Sequence, residues 1–387
     1  MAPGPQATPS GNGFARITAV RSHPLRAVLA KAQRTSQATF AAIEIVVVEI
    51  ELADGTIGWG ECLARRGCTA YADFIDAVLA PLLIGEDPRD RRRLWNRLRA
   101  PLTGRTGGML IESIAGLDMA LWDIAGKQLG QPVARLLGGI GRGRVDAYAS
   151  SINWLDDDTV RAEVAAIRQR GFRQAKLKLG RPVADAIRRA RLVRELAGDD
   201  MVLGVDANWA YDVDEAIQVG RALADLGYDF FEEPIRPEDR AGYRRLARAL
   251  PIRLAAGESD FTAGDALESL ADRSIGMIQP DVARSGGITE TWRIAELAAL
   301  HHTRYAPHVG WSGALCVAAS LQLASAAESF WSFECMVYDN PLRQSLVHDA
   351  AGDYSRLDGG QIIVPTGPGL GVEIDRTVLA DLTIVRS

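Results

Sequence analysis

Lys176 and Lys178 alternate with Ala175, Leu177 and Leu179 in the stretch QAKLKLG, residues 174–180. In an extended strand, residues two apart point to the same side. Both ammonium groups would then face one way and the apolar residues the other. If that face is enclosed, the charges require anionic partners. Candidates follow along the chain: Asp206 in GVDAN, Glu232 in FFEEPI and Glu258 in AAGES, each preceded by apolar residues suited to a buried strand. Three carboxylates converging in a partly dry site repel one another severely unless a cation lies between them. Ligation by carboxylates alone, without Cys or His, points to Mg²⁺ or Mn²⁺ rather than zinc. Of the adjacent acids in EEP, Glu232 is assigned as the ligand and Glu233 to a supporting place behind it. Asn208, two residues past Asp206 on the same face, is placed to touch metal or substrate.

Repulsion between the two lysines, together with a nearby metal, would favour the neutral amine at Lys178. That form can act as a base near neutral pH. Lys176 would tune that base or bind a substrate carboxylate. Asp281 in IQPDVARSGG and His308 in APHVG suggest a second acid–base group. An Asp accepting from one ring nitrogen fixes the tautomer, raises the basicity of the ring and leaves the other nitrogen for substrate. His23, His301, His302 and His348 have no such setting. Glu334 in SFECM would donate or accept at a substrate oxygen.

Lys178, Asp206, Glu232, Glu258, Asp281, His308 and Glu334 are separated by 28, 26, 26, 23, 27 and 26 residues. That is the period of one strand plus one helix. It arranges all seven around one mouth of a parallel barrel, where the C-terminal strand ends carry the chemistry. From about residue 143, strand-like runs end near Ala149, Lys178, Asp206, Glu232, Ala256, Gln279, Ala306 and Glu334. Helical stretches such as DDTVRAEVAAIRQRG, VADAIRRARLVRELAG and ITETWRIAELAALHH lie between them. The pattern predicts an α/β protein with a (β/α)₈ barrel. Residues 14–135 read as an α+β domain. A hairpin there turns at ADG, residues 53–55, and helical segments run on to residue 139, with Leu117, Leu121 and Ile124 at helical spacing and Gly126 allowing close packing. The expected organisation is a flexible tail over residues 1–13, a capping domain over 14–135, the barrel over 136–354, and a C-terminal segment over 355–387 that returns to the cap.

Of the 387 residues, 47% are hydrophobic and 24% charged, with a net charge of -5. Nothing in that balance favours nucleic acid or an anionic membrane. Cys62, Cys68, Cys316 and Cys335 lack both a disulfide framework and zinc spacing, so reduced thiols in a cytoplasm are expected. The first residues have no basic segment followed by an apolar core, so no signal peptide is expected. The apolar run at residues 309–327 is interrupted by Ser, Gly and Gln and predicts a buried helix. The basic cluster DPRDRRRLWNRLR, residues 87–99, predicts a solvated helix face with Leu94 and Leu98 inward. GGIGRGR precedes a strand rather than opening a helix, which argues against a phosphate loop.

The KLK pair, DAN, EEP, GES, QPD followed by SGGITE, APH and the last-strand Glu334, with AGLDMALWDIAGK and GWGEC earlier, resemble the enolase superfamily and its mandelate racemase subgroup. The resemblance covers the chain from residue 14 onward. It implies a modified barrel, (β/α)₇β, under a mixed capping domain. It also implies one Mg²⁺ and abstraction of a proton α to a carboxylate, with the Lys and the His flanking the substrate. Such removal creates an enediolate whose charge Mg²⁺, Lys176 and Glu334 would stabilise. Among the outcomes the subgroup supports, dehydration of an acid sugar is expected first. Cycloisomerisation of an aldaric acid lactone and racemisation or epimerisation of a 2-hydroxy acid are the alternatives, and a non-catalytic sugar-acid-binding protein is a remote one. A Schiff-base aldolase leaves the three carboxylates without a role. The substrate is expected to be a small polar carboxylate, met by cap cations among Arg26, Lys31, Arg34, Arg65 and Arg66, with Arg65 or Arg66 gripping its distal end. A homo-oligomer, dimer or octamer, is implied, with no nucleic acid or membrane partner.

Overall fold

A computed structural model describes residues 15–101, 107–348 and 357–386. The expected tail at residues 1–13 and the boundary at residues 354 and 355 lie outside the described residues. The N-terminal sheet is antiparallel in the order β1 (Ile17–Arg34), β2 (Thr39–Leu52) and β3 (Ile57–Cys62), with the ADG turn between β2 and β3. The run IEIVVVEI in β2 is apolar throughout because both faces are covered. Val46, Val48 and Ile50 pack in the cap's own core, while Ile43, Ile45 and Val47 belong to the core shared with the barrel. Helices α1 (Cys68–Phe74), α2 (Arg91–Arg99), α3 (Gly108–Leu129) and α4 (Val133–Leu136) complete this region. The arginine-rich α2 turns Leu94, Trp95 and Leu98 inward, and Arg93 and Arg97 pair with Glu86. The helical run expected through residue 139 breaks at Gly130, which caps α3 in a left-handed conformation at φ 62°.

Eight parallel strands follow: β4 (Arg144–Ile152), β5 (Gln174–Lys178), β6 (Val202–Asp206), β7 (Phe230–Glu232), β8 (Arg253–Ala256), β9 (Met277–Ile278), β10 (Arg304–Tyr305) and β11 (Phe333–Met336). They pair in the order β10-β9-β8-β7-β6-β5-β4-β11, and a bridge from Tyr305 to Phe330 joins the two ends. Seven helices lie between them: α5 (Asp157–Gln169), α6 (Val183–Ala197), α7 (Val213–Asp225), α8 (Arg240–Ala249), α9 (Ala263–Ala271), α10 (Gly287–Leu300) and α11 (Ala314–Ala326). This is a (β/α)₇β barrel. Most of α11 is buried, so its run of apolar residues has no polar face.

The chain ends with α12 (Pro341–Gln344), β12 (Gln361–Ile363) and α13 (Arg376–Leu382). This segment touches both parts of the molecule. β12 pairs antiparallel with barrel strand β4, whereas Leu370 N donates to Asp123 on α3 and Thr383 bridges to Leu25 on β1. No helix among the described residues is long and apolar enough to cross a membrane. All four cysteines are buried and unpaired.

Candidate active site

Register builds the site. Lys178 on β5 lies opposite Asp206 on β6, which lies opposite Glu232 on β7. Ala175 and Leu177 pack outward in the core, so both lysines point inward, as the alternation requires. Glu258, Asp281 and His308 sit two or three residues beyond the ends of β8, β9 and β10, on the segments that leave the barrel. Asp206, Glu232 and Glu258 are buried and each offers an oxygen within 4.8 Å of the others. Burial, then the charge of Asp206, pushes Glu232 up to about 8. Burial also disfavours charge on Glu258, but His308 and Arg65 outweigh it and hold that carboxyl well below its usual range. An all-oxygen donor set of this size and burial fits a hard divalent cation such as Mg²⁺.

The expected repulsion between the two lysines is offset by carboxylate partners. Both face the same oxygen of Asp206: Lys178 Nζ contacts Oδ2 directly, and Lys176 Nζ lies 3.9 Å from it. Lys176 is fully buried and hydrogen bonds to Glu232 at 2.8 and 2.9 Å and to Glu334 at 2.8 Å. Burial opposes its charge, yet Glu232 and Glu334 prevail and hold the ammonium well above its usual range. His308 Nδ1 meets Asp281 Oδ2 at 2.7 Å, the expected pairing, while Nε2 lies 3.2 Å from Glu258 and 4.0 Å from Glu334. Burial lowers the affinity of this ring for a proton, but Glu258, Glu334 and Asp281 raise it to about 10. A cation held by Glu258 would remove part of that effect.

A chamber of about 80 Å³ lies over these groups; Lys178, Asn208, Glu258, His308 and Glu334 line it, together with Arg34 and Arg65 from the cap. Lys176 is not among its lining residues. Asn208 folds back instead, its N–H and its side-chain amide both donating to Asp206. The cap cations divide. Arg65 reaches Glu258 at 3.1 Å, whereas Arg66 is exposed and stands 5.6 Å over the Phe40 ring. Arg26 faces Glu44, and Lys31 lies 4.0 Å from Glu163. Glu233 is buried beside the carboxylate cluster and accepts a hydrogen bond from the Trp209 indole.

Several site residues escape sequence reasoning. Gln279 donates to Glu232 at 2.9 Å and Ser150 to Glu334 at 2.8 Å; Ser36 and Gln37 donate to the carbonyls of Ala207 and Asn208 at 2.8 and 2.6 Å. Phe40, Trp311 and Tyr338 form an aromatic wall, with successive ring centroids 4.3 and 5.9 Å apart. Gln279 at a strand end was one available signal. Ser150 lies one strand–helix period before Lys178, whereas Ser36, Gln37 and Phe40 come from the cap and Trp311 and Tyr338 lie beyond the strand ends.

A capped (β/α)₇β barrel that gathers carboxylates, a lysine and a histidine–aspartate pair at one mouth defines a class, and comparison with known proteins places the chain within it. Residues 16–138 match the mandelate racemase / muconate lactonizing enzyme N-terminal domain, and residues 159–378 match the enolase C-terminal domain-like family. The chain is 36% identical over 383 residues to a D-galactarolactone cycloisomerase from Agrobacterium fabrum, covering 95% of this chain and 98% of that one. It is 35% identical over 337 residues to an arabinonate dehydratase from Saccharolobus solfataricus, covering 86% and 88%. A racemase from Streptomyces coelicolor with bound magnesium superposes with a TM-score of 0.86 at 27% identity, covering 95% and 100%. The protein belongs to the enolase superfamily, in its mandelate racemase subgroup.

Proposed function

We propose that the protein abstracts the proton α to the carboxylate of an acid sugar and dehydrates it to a 2-keto-3-deoxy acid. The observation that carries this reading is that Lys178 and His308 line one chamber from opposite sides of the ring, beside the three buried carboxylates. Asp206, Glu232 and Glu258 would hold a divalent cation, which when bound would supply Lewis-acid stabilisation of charge on the substrate carboxylate. Lys178, as the neutral amine, takes the α-proton. His308, oriented by Asp281, gives a proton to the departing β-hydroxyl. Lys176 and Ser150 hold Glu334 in place, and Val309 N–H adds a third bond at 2.9 Å. Glu334 thus presents a fixed acceptor at the chamber wall.

Cycloisomerisation of a sugar lactone is the second reading. The wall of Phe40, Trp311 and Tyr338 favours it, because flat aromatic faces suit the CH face of a ring better than an open chain. The relatives include both activities, which supports the shared proton abstraction more than either outcome. The test is a panel of aldonic and aldaric acids with their lactones, in heavy water with Mg²⁺, followed by NMR. Loss of the α-proton signal with appearance of a 2-keto acid is expected. Full activity after exhaustive chelation, or no exchange with any acid, overturns the reading.

A further inference from the structure

A second cavity at this end of the barrel lies beside the chemistry, not over it. A volume of about 240 Å³ lies in the seam between cap and barrel, three times the size of the chamber above Lys178 and His308. The two volumes meet at Gln33, Ser151, Asn153 and Tyr338, which line both. No acid–base group and no member of the carboxylate cluster lines the larger one. It therefore has no part in proton transfer, yet adjoins the chamber that holds the reactive groups.

Its chemistry is that of a neutral ligand. Ala30, Ala166, Ile167, Val337 and Tyr338 supply a mostly apolar wall. The charged residues balance, with Lys31 and Arg170 against Glu163 and Asp339. Glu163 is held in place, accepting from Asn153 N at 2.9 Å and Asn153 Nδ2 at 3.2 Å, while Lys31 stays at 4.0 Å. A second substrate carboxylate placed here would meet Glu163 and Asp339 as well as Lys31 and Arg170, so no net positive charge draws it in. A sugar ring needs no such charge. Its CH face lies on the aliphatic and aromatic wall, and its hydroxyls reach the amide and carboxylate oxygens.

We propose that this chamber is a subsite for a neutral glycosyl ring carried by the acid, so that the substrate class is a glycosyl-substituted aldonic acid. The acid end of this proposal rests on the reaction proposed above; the subsite itself does not. The test fills the chamber from either side with Ala166→Trp on α5 or Ala30→Trp on β1, both exposed positions outside the acid–base machinery. Gluconate is compared with maltobionate and cellobionate, which carry a glucosyl group at C4, by α-proton exchange in heavy water. Binding of methyl glucoside is measured separately by saturation-transfer NMR. The wild type is expected to show a lower KM for a glycosylated acid than for gluconate. Each tryptophan variant should raise that KM at least tenfold, leave gluconate within twofold and abolish glucoside binding. Equal effects on both kinds of acid, or no glucoside binding to the wild type, overturn the subsite. If no acid exchanges at all, the reaction fails, and glucoside binding alone decides the subsite.

Discussion

Asp206 Oδ2 faces the Nζ of both lysines, so the proposed metal site and the proposed base are one electrostatic unit. Each carboxylate of the cluster is buried, and neutralising one leaves a cation short of a ligand charge. Asp206→Asn, Glu232→Gln and Glu258→Gln are each expected to lower kcat by roughly a hundredfold or more, the scale of losing a principal electrostatic element. Calorimetric titration with Mg²⁺ should show weakened binding in all three; unaltered affinity would remove the residue from the ligand set. Under the proposed reaction, Lys178 and His308 divide the proton work. Lys178→Ala should abolish both exchange and elimination, whereas His308→Asn should retain exchange while losing elimination. Elimination at the wild-type rate in either variant would exclude that residue from the mechanism. The cap arginines separate by position. Arg65→Ala should raise KM about tenfold, equivalent to ~1.4 kcal/mol, while Arg66→Ala leaves it unchanged, because only Arg65 lines the chamber. Steady-state kinetics on the best substrate settles the comparison, and equal behaviour of the two variants would refute it.

At the scale of elements, the cap is held by close backbone approach. A Cβ at Gly60 of β3 would run into the Gly116 carbonyl oxygen of α3, and neither backbone can yield cheaply. Gly60→Ala should therefore destabilise the protein by about 1–3 kcal/mol or more, the range for overpacking a tight interior. Urea denaturation measures it, and an unchanged midpoint would show that the sheet and helix can part. The neighbouring Glu61 accepts from Gly313 N at 2.6 Å and Cys316 N at 3.1 Å, so one cap carboxylate satisfies the N-terminus of barrel helix α11. The hairpin β2–β3 and the crossover helices were legible because apolar periodicity and turn chemistry act locally. The long strand β1 was not. Its burial is irregular, it includes Pro24, and its pairing shifts register between Val28 and Gln33. That irregular stretch leads into the loop whose Ser36 and Gln37 grip the carbonyls beside Asp206.

Across the whole molecule, cap and barrel meet through buried polar contacts that respond to pH. Asp118 on α3 accepts from Thr289 N at 2.8 Å and Thr289 Oγ1 at 2.6 Å on α10, and burial pushes its carboxyl up to about 7. An acid whose folded-state value is raised favours the native state below its unfolded value, near 4, and loses that contribution as pH rises to about 7. Asp118→Asn keeps the shape and removes the titration. The stability of the wild type relative to this variant should therefore fall between pH 4 and pH 7 and level off above. Chemical denaturation across that range checks it, and a constant difference would show that Asp118 does not titrate with folding. The strand-end ladder from Lys178 to Glu334 was written in the chain, because a parallel barrel repeats one strand and one helix and so places like positions at one mouth. Residue types and their period were enough to name the carboxylates, the lysines and the histidine–aspartate pair. They could not show that one Asp206 oxygen faces both lysines, that Lys176 lies beneath the chamber, or that Arg65 rather than Arg66 enters it. Those facts depend on distances between segments far apart in sequence. Strand pairing in the barrel brings the lysines to Asp206, and the packing of the cap against the barrel brings in Arg65.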